Sequence, residues 1–279
     1  MTGDEVADRS RMVGGRHLPT AIAVGVVLAG LFLGSLFWRS EAFAVVIAVL
    51  AATAYVDAAR VLRPTGVRLL TPVLVVTSAV MMAAAHEFGA SGQAFAITLL
   101  VGASVLTLLM DGNRRDVVRT LAITVLFGLW VAFLASYGVL LIVQDEGTVI
   151  VLAVVGAAIF TDIGGYAFGV TFGRHKVAPT VSPNKSWEGL IGGVAVTGLL
   201  AAFVLPLFGD TFTPVSGAVL AMTCGLASFV GDLTESMVKR DLGVKDLGDL
   251  LPGHGGLLDR VDSILFALPI GYYAAALFT

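Results

Sequence analysis

Charge is what this sequence has least of. Of its 279 residues only 13% are Asp, Glu, Lys or Arg and 57% are hydrophobic, where a soluble domain carries roughly 25% charged residues. Mean hydropathy is +0.93. No polar run is long enough to clothe a separate soluble domain, so the composition predicts an integral membrane protein. Cysteine is almost absent too. A single Cys224 excludes an intrachain disulfide and a cysteine-based metal site. Its apolar surroundings (AMTCGLASF) make it a packed small residue. No HExxH-like pair is present either, which leaves zinc without a ligand set. The net charge of −3 identifies no partner by its sum, and no nucleic-acid partner is expected.

Long apolar runs are abundant. A helix crosses the ~30 Å hydrocarbon core with about 20 residues. That ruler predicts an all-α, polytopic membrane protein with nine spans, at 18–38, 42–59, 68–87, 93–110, 119–142, 148–171, 188–208, 213–233 and 263–279. Residues 1–17 are expected to form a short cytoplasmic tail. The run after it is too long for a signal-peptide core and is expected to be retained as the first span. With the N-terminus inside, sixteen of the seventeen Lys and Arg fall in internal segments, and Arg39 alone falls outside. His86, Glu87, Asp145, Glu146 and Asp210 occupy the opposite loops. The asymmetry predicts a cytoplasmic N-terminus and an external C-terminus. Trp38 and Trp187 fall at the expected interfaces. Trp130 and the Met81–Met82 pair fall where packing is expected, and Asp57 and Glu87, near span ends, are expected to snorkel to water.

The charge that remains is concentrated. The stretch 232–262 (DLTESMVKRDLGVKDLGDLLPGHGGLLDRVD) holds seven carboxylates and four cationic side chains. If the eighth span continues as a helix, Asp232, Glu235, Ser236 and Lys239 lie at i, i+3, i+4 and i+7 and share one face. Asp259 and Asp262 share a face at the start of the ninth. Two such faces brought together make a cage of hard oxygen ligands suited to Mg²⁺. Lys239, Arg240, Lys245 and Arg260 interleave with these acids, a mixture that suits a cation bridging to polyphosphate. The turn Pro252-Gly253-His254-Gly255-Gly256 exposes backbone amides that can cradle phosphate. A solvated loop with surface ion pairs is the competing reading of the whole stretch.

Two further segments carry polar groups. In FGRHKVAPTVSPNKSWEG, a basic patch precedes Ser182, Lys185 and Ser186, which stand before a helix N-terminus, a natural anion site. Ser186 with Glu188 also reads as a plain helix cap. His175 is given no role. In AAIFTDIGGYAFG, Asp162 lies at membrane depth, where a carboxylate costs roughly 2.5–3.5 kcal/mol and needs a polar cavity or a partner. Tyr166, one turn on, shares its face. A structural hydrogen bond to a neighbouring helix fits Asp162 equally well.

The C-terminal half resembles the phosphatidate cytidylyltransferase family. The pattern runs Ser236, Lys239-Arg240, Lys245-Asp246, Gly248, Leu251-Pro252, His254-Gly255-Gly256, Asp259-Arg260 and Asp262. VSPNKSWEG and TDIGGYAFG resemble its upstream motifs. The likeness covers about 160–262; the N-terminal half resembles the family only as a set of apolar helices. The resemblance implies transfer of a cytidylyl group from CTP to phosphatidate, dependence on Mg²⁺ with a possible second cation such as K⁺, and a homodimer embedded in membrane lipid. It implies metal binding by Asp232, Asp259 and Asp262 and catalysis by these with Ser236. Ser182, Lys185, Ser186, Lys239, Arg240, Lys245, His254, Gly255, Gly256 and Arg260 would bind substrate, with Asp162, Tyr166, Glu235 and Asp246 as further candidates. The chain then divides into the tail 1–17, N-terminal helices 18–147 and a catalytic region 148–279, whose last four spans form a polar funnel open to the cytoplasm of a bacterial cell. Another CTP-using lipid transferase or kinase, with a different acceptor, fits the same residues. An ion-coupled transporter would use Asp162, but the charge gathers at one membrane face and not at the midplane.

Overall fold

In the computed structural model, residues 12–13, 16–112, 115–208, 211–251 and 255–278 are described. Helix dominates. The helices are α1 Leu18–Trp38, α2 Ser40–Leu62, α3 Thr71–Met110, α4 Val117–Phe127, α5 Leu134–Ile142, α6 Gly147–Phe172, α7 Trp187–Val204, α8 Pro214–Asp241 and α9 Leu258–Ala275. Among the described residues, six helices are long and apolar enough to cross a membrane, and a shorter apolar stretch, Ile22–Trp38, lies in α1. Charged residues in its first two turns set α9 apart from these.

Two expected spans, 68–87 and 93–110, are joined in α3. The helix breaks at Gly89, whose φ of 61° and ψ of −139° belong to backbone that glycine alone adopts readily. The two pieces fold against each other there, because the Ala84 carbonyl lies against Gly92. The expected span 119–142 is α4 and α5, joined by a π-helical segment, Gly128–Phe133. Its cause is Tyr55 of α2. The fully buried phenol accepts from the Ala132 amide at 3.0 Å and donates to the Phe127 carbonyl at 3.4 Å. It therefore fills the opening in the helix ladder where these two groups would otherwise face each other.

The segment after α6, expected as loop, folds into a small hairpin. Strand β3, Lys176–Ala178, pairs antiparallel with β4, Ser182–Ser186, matching Lys176 to Ser186 and Ala178 to Ser182. Glu188 ties it to α7 by accepting from the Arg174 amide at 3.1 Å and holding His175 Nδ1 at 2.6 Å. Near the N-terminus β1, Met12–Val13, and β2, Arg16–His17, form a second short pair. The C-terminal helices α6, α7, α8 and α9 pack on one another. Between α6 and α7 the contact is backbone to backbone, since a Cβ on Gly193 would stand 2.5 Å from the Thr161 carbonyl oxygen. Small residues permit such close approach in membrane bundles.

Cys224, Trp130, Met81 and Met82 are buried in the core, and Trp38 and Trp187 are exposed. One expectation is overturned. Asp57 does not reach water: it is 1% exposed, and its Oδ1 accepts from the amides of Asp249 at 2.9 Å and Leu250 at 3.1 Å. Backbone amides at a neighbouring loop replace the solvent that a span-end carboxylate would otherwise seek. Glu87, by contrast, is a largely exposed side chain beside His86.

Replacing Tyr55 by Phe strands the Ala132 amide in an apolar setting. The expected cost is about 1–3 kcal/mol, read as a lower thermal midpoint in detergent. An unchanged midpoint would remove the phenol from the account of the π segment.

Candidate active site

Helix α8 continues past the expected span end to Asp241, so Asp232, Glu235, Ser236 and Lys239 do share a face. Helix α9 begins at Leu258 and places Asp259 and Asp262 in its first two turns. The two faces meet because Gly231 leaves no side chain between them. A Cβ there would lie 2.8 Å from the Asp262 carbonyl oxygen and 3.1 Å from Phe266 Cβ.

The carboxylates are interlocked with lysines. Lys239 Nζ stands 2.5 Å from Glu235 Oε2 and 3.0 Å from Asp259 Oδ1. Lys185, from β4, pairs with Asp232 and lies 4.5 Å from the centre of the Phe229 ring. Ser236 donates to Asp232 Oδ1 over a long 3.5 Å. Asp259 is held tightly. Besides Lys239 it accepts from the Leu247 amide at 3.0–3.1 Å and the Gly256 amide at 3.1 Å. Ser186 caps α7, accepting from the Gly189 amide at 3.2 Å, as its cap reading required.

These groups surround a cavity of about 520 Å³. Five carboxylates line it (Asp162, Asp232, Glu235, Asp259 and Asp262) against three cations (Lys185, Lys239 and Arg260). Asp162 and Tyr166 line it from α6, as their shared face predicts, and Ser186 does so from the α7 cap. Thr161, Asn184 and Ser263 also line it. No residue-type pattern singles out Thr161 or Ser263, although Ser263 directly adjoins Asp262; Asn184 supplies the amide of the polar run Ser182–Ser186 that precedes α7. Ser182, Ser236, Arg240, Lys245, Asp246, Gly255 and Gly256 are not among the lining residues. Arg240 and Lys245 are exposed. Gly255 pairs its backbone with Leu251, and Gly256 serves Asp259. His254, with Pro252 and Gly253, lies outside the described residues.

Oxygen atoms of Asp232, Glu235 and Asp262 lie within 4.8 Å of one another, which makes this trio the described set able to hold a metal ion. Three hard oxygen donors suit Mg²⁺. The excess of carboxylates over cations in the cavity fits a positive guest as well. Glu235 thus stands where the resemblance implies Asp259, whose own oxygens are occupied by Lys239 and two amides.

An apolar helix bundle enclosing a polar cavity of interleaved acids and lysines is the architecture of a membrane protein with a charged internal site. The chain belongs to the cytidylyltransferase family, whose family model matches residues 19–278. It is similar to the phosphatidate cytidylyltransferase of Mycobacterium tuberculosis (strain ATCC 25618 / H37Rv), 35% identical over 263 residues covering 90% of this chain and 80% of that protein. The enzyme of that name from Mycobacterium leprae is 35% identical over 267 residues, 90% of this chain and 85% of the relative. That of Haemophilus influenzae is 47% identical over 117 residues, 40% of each.

Glu235→Gln and Asp262→Asn are each expected to weaken Mn²⁺ binding, measured by electron paramagnetic resonance, by about tenfold or more. Asp241→Asn, exposed at the end of α8, should leave it unchanged. Equal affinity in all four proteins would take the ion away from the trio.

Proposed function

We propose that this protein transfers the cytidylyl group of CTP to phosphatidate, giving CDP-diacylglycerol and pyrophosphate for phospholipid synthesis. The observation that carries the reading is the cavity, in which carboxylates and lysines of the family's motifs converge at one end of a membrane bundle. Membership of the family and similarity along 90% of the chain to phosphatidate cytidylyltransferases support it.

The chemistry asks little covalent help from the protein. An ionised phosphate oxygen of phosphatidate attacks the α-phosphorus of CTP. The bond from that phosphorus to the bridging oxygen breaks, and pyrophosphate leaves with the electron pair. The nucleophile is already charged, so a strong general base is not needed. The difficulty is holding two anions together in line. Lys185, Lys239 and Arg260 bind phosphate oxygens and offset their repulsion. Mg²⁺, when held by Asp232, Glu235 and Asp262, supplies the remaining charge neutralisation. Asp259 fixes Lys239 from the other side. Asp162 and Tyr166 form the wall on α6. A second, monovalent cation and a homodimer belong to the same proposal.

The reading includes nine crossings, the Gly89 break separating two of them, with the N-terminus and the cavity on the cytoplasmic side of a bacterial membrane and the C-terminus outside. Contacts between span ends support this. Asp57, near the end of α2, touches the 249–250 segment; Ser40, at the other end of α2, holds His86 Nε2 at 3.0 Å. Arg68 and Asp111, at two expected internal ends, form an ion pair. CTP then reaches the cavity from water and the lipid from the side.

Purified protein in detergent, given CTP, Mg²⁺ and phosphatidate, is expected to form CDP-diacylglycerol. Absence of product, with product from a polyprenol or another lipid instead, would replace the acceptor. For sidedness, cysteines placed in the 174–186 hairpin on a Cys224→Ala background should react with an impermeant thiol reagent only after permeabilisation, and one at Asp145 in intact cells. The reverse pattern would overturn both the topology and the use of cytoplasmic CTP.

A further inference from the structure

The carboxylate of Asp57 sits 192 residues from the amides it serves. It is buried on α2, in the half of the chain that contributes nothing to the cavity, yet its Oδ1 takes the Asp249 and Leu250 N–H groups at 2.9 and 3.1 Å. Its Oδ2 lies so close to Gly248 that any Cβ there would collide with it. From the opposite side, Asp259 takes the Leu247 and Gly256 amides. Gly248 and Gly256 are pressed together between these two acids: a Cβ on Gly256 would lie 2.6 Å from the Gly248 nitrogen. Leu251 and Gly255 then close the turn by exchanging backbone hydrogen bonds at 3.0 and 3.2 Å.

Residues 247–250 and Gly256 are therefore clamped by two carboxylates, one from each half of the chain. Asp259 is also the group that holds Lys239, and Lys239 pairs with Glu235. A continuous series of direct contacts runs from α2 through the clamped segment to the carboxylate trio.

We propose that Asp57 is a positioning residue for the active site: it fixes residues 247–250, and through them the placement of Asp259 and Lys239. It touches no substrate. Its effect is to keep a lysine aimed at a bound polyphosphate without reorganisation at each turnover. The proposal rests on the transferase reading given above for its kinetic consequence, but not for its structural one.

The full-length protein in detergent supplies the test, through kinetics with CTP and phosphatidate and through hydrogen exchange of the backbone amides. Asp57→Ala should raise exchange at 247–250 by about tenfold or more and raise KM for CTP by about fivefold or more. A lesion that merely lowers the amount of folded enzyme leaves KM in place. Asp57→Asn keeps an amide oxygen able to accept both N–H groups, so it should stay within about threefold of wild type in KM. Gly248→Ala, whose Cβ would meet both the Asp57 carboxylate and the Gly256 Cα, should likewise raise exchange at 247–250 and KM for CTP while leaving the sequence of α2 unchanged. If Asp57→Ala does not fold, Asp57→Asn and Gly248→Ala decide the matter. Wild-type exchange and wild-type KM in Asp57→Ala, or in Gly248→Ala where the former is lost, would overturn the proposal. A wild-type protein that makes no CDP-diacylglycerol overturns the transferase reading instead, and exchange at 247–250 still decides whether Asp57 holds the segment.

Discussion

Ionised side chains in a low-dielectric bundle have to be paired, and the C-terminal helices are arranged around that requirement. Removing a carboxylate or an ammonium from water costs several kcal/mol even after relaxation. Here three of the five cavity acids have a lysine counter-group, Lys239 for Glu235 and Asp259 and Lys185 for Asp232. The Lys239–Glu235 pair lies within α8, but Lys239 reaches Asp259 because α8 and α9 touch at Gly231, and Lys185 reaches Asp232 because the β3–β4 hairpin carries it across to α8. Close helix packing and charge compensation are thus one condition here. A bulkier residue at the contact would push the helices apart and leave several charges stranded together.

Much of this was legible beforehand, and the reasons differ by element. Helix positions follow from hydropathy because a bilayer imposes one length scale on apolar runs. The shared face of Asp232, Glu235, Ser236 and Lys239 follows from helical spacing, and so does the pairing of Asp162 with Tyr166 on the cavity wall. What spacing cannot convey is which faces meet. The place of Glu235 in the oxygen cluster, and the engagement of Asp259 by amides, depend on the register of α8 against α9. Asp57 was misread for a related reason. Its partners are main-chain N–H groups, which every residue but proline carries, so no pattern of side chains announces them. The π segment was hidden likewise, since its cause is a tyrosine on another helix.

The N-terminal half, which looks generic as sequence, acquires a role through α2. Two residues apart on that helix, Tyr55 fills an opening in the α4–α5 span and Asp57 holds the 249–250 amides. They project from different sides of the helix, so α2 stands between the two regions as a strut. Its hydrogen bonds replace ones that an apolar interior could not otherwise provide. A set of helices with little identifiable chemistry therefore fixes the geometry of a segment belonging to the charged end.

The pairing of Lys185 with Asp232 also couples two equilibria. While the two neutralise each other, neither offers its full charge to a guest. A cation settling on Asp232 loosens its hold on the ammonium, and the freed ammonium becomes a better anion site. The same exchange read backwards means that an anion drawing Lys185 away leaves Asp232 more receptive to a cation. Linkage requires the two enhancements to be equal in free energy. On the proposed function, such a cavity would favour the joint arrival of opposite charges over the arrival of either alone, with a single ion pair setting that preference.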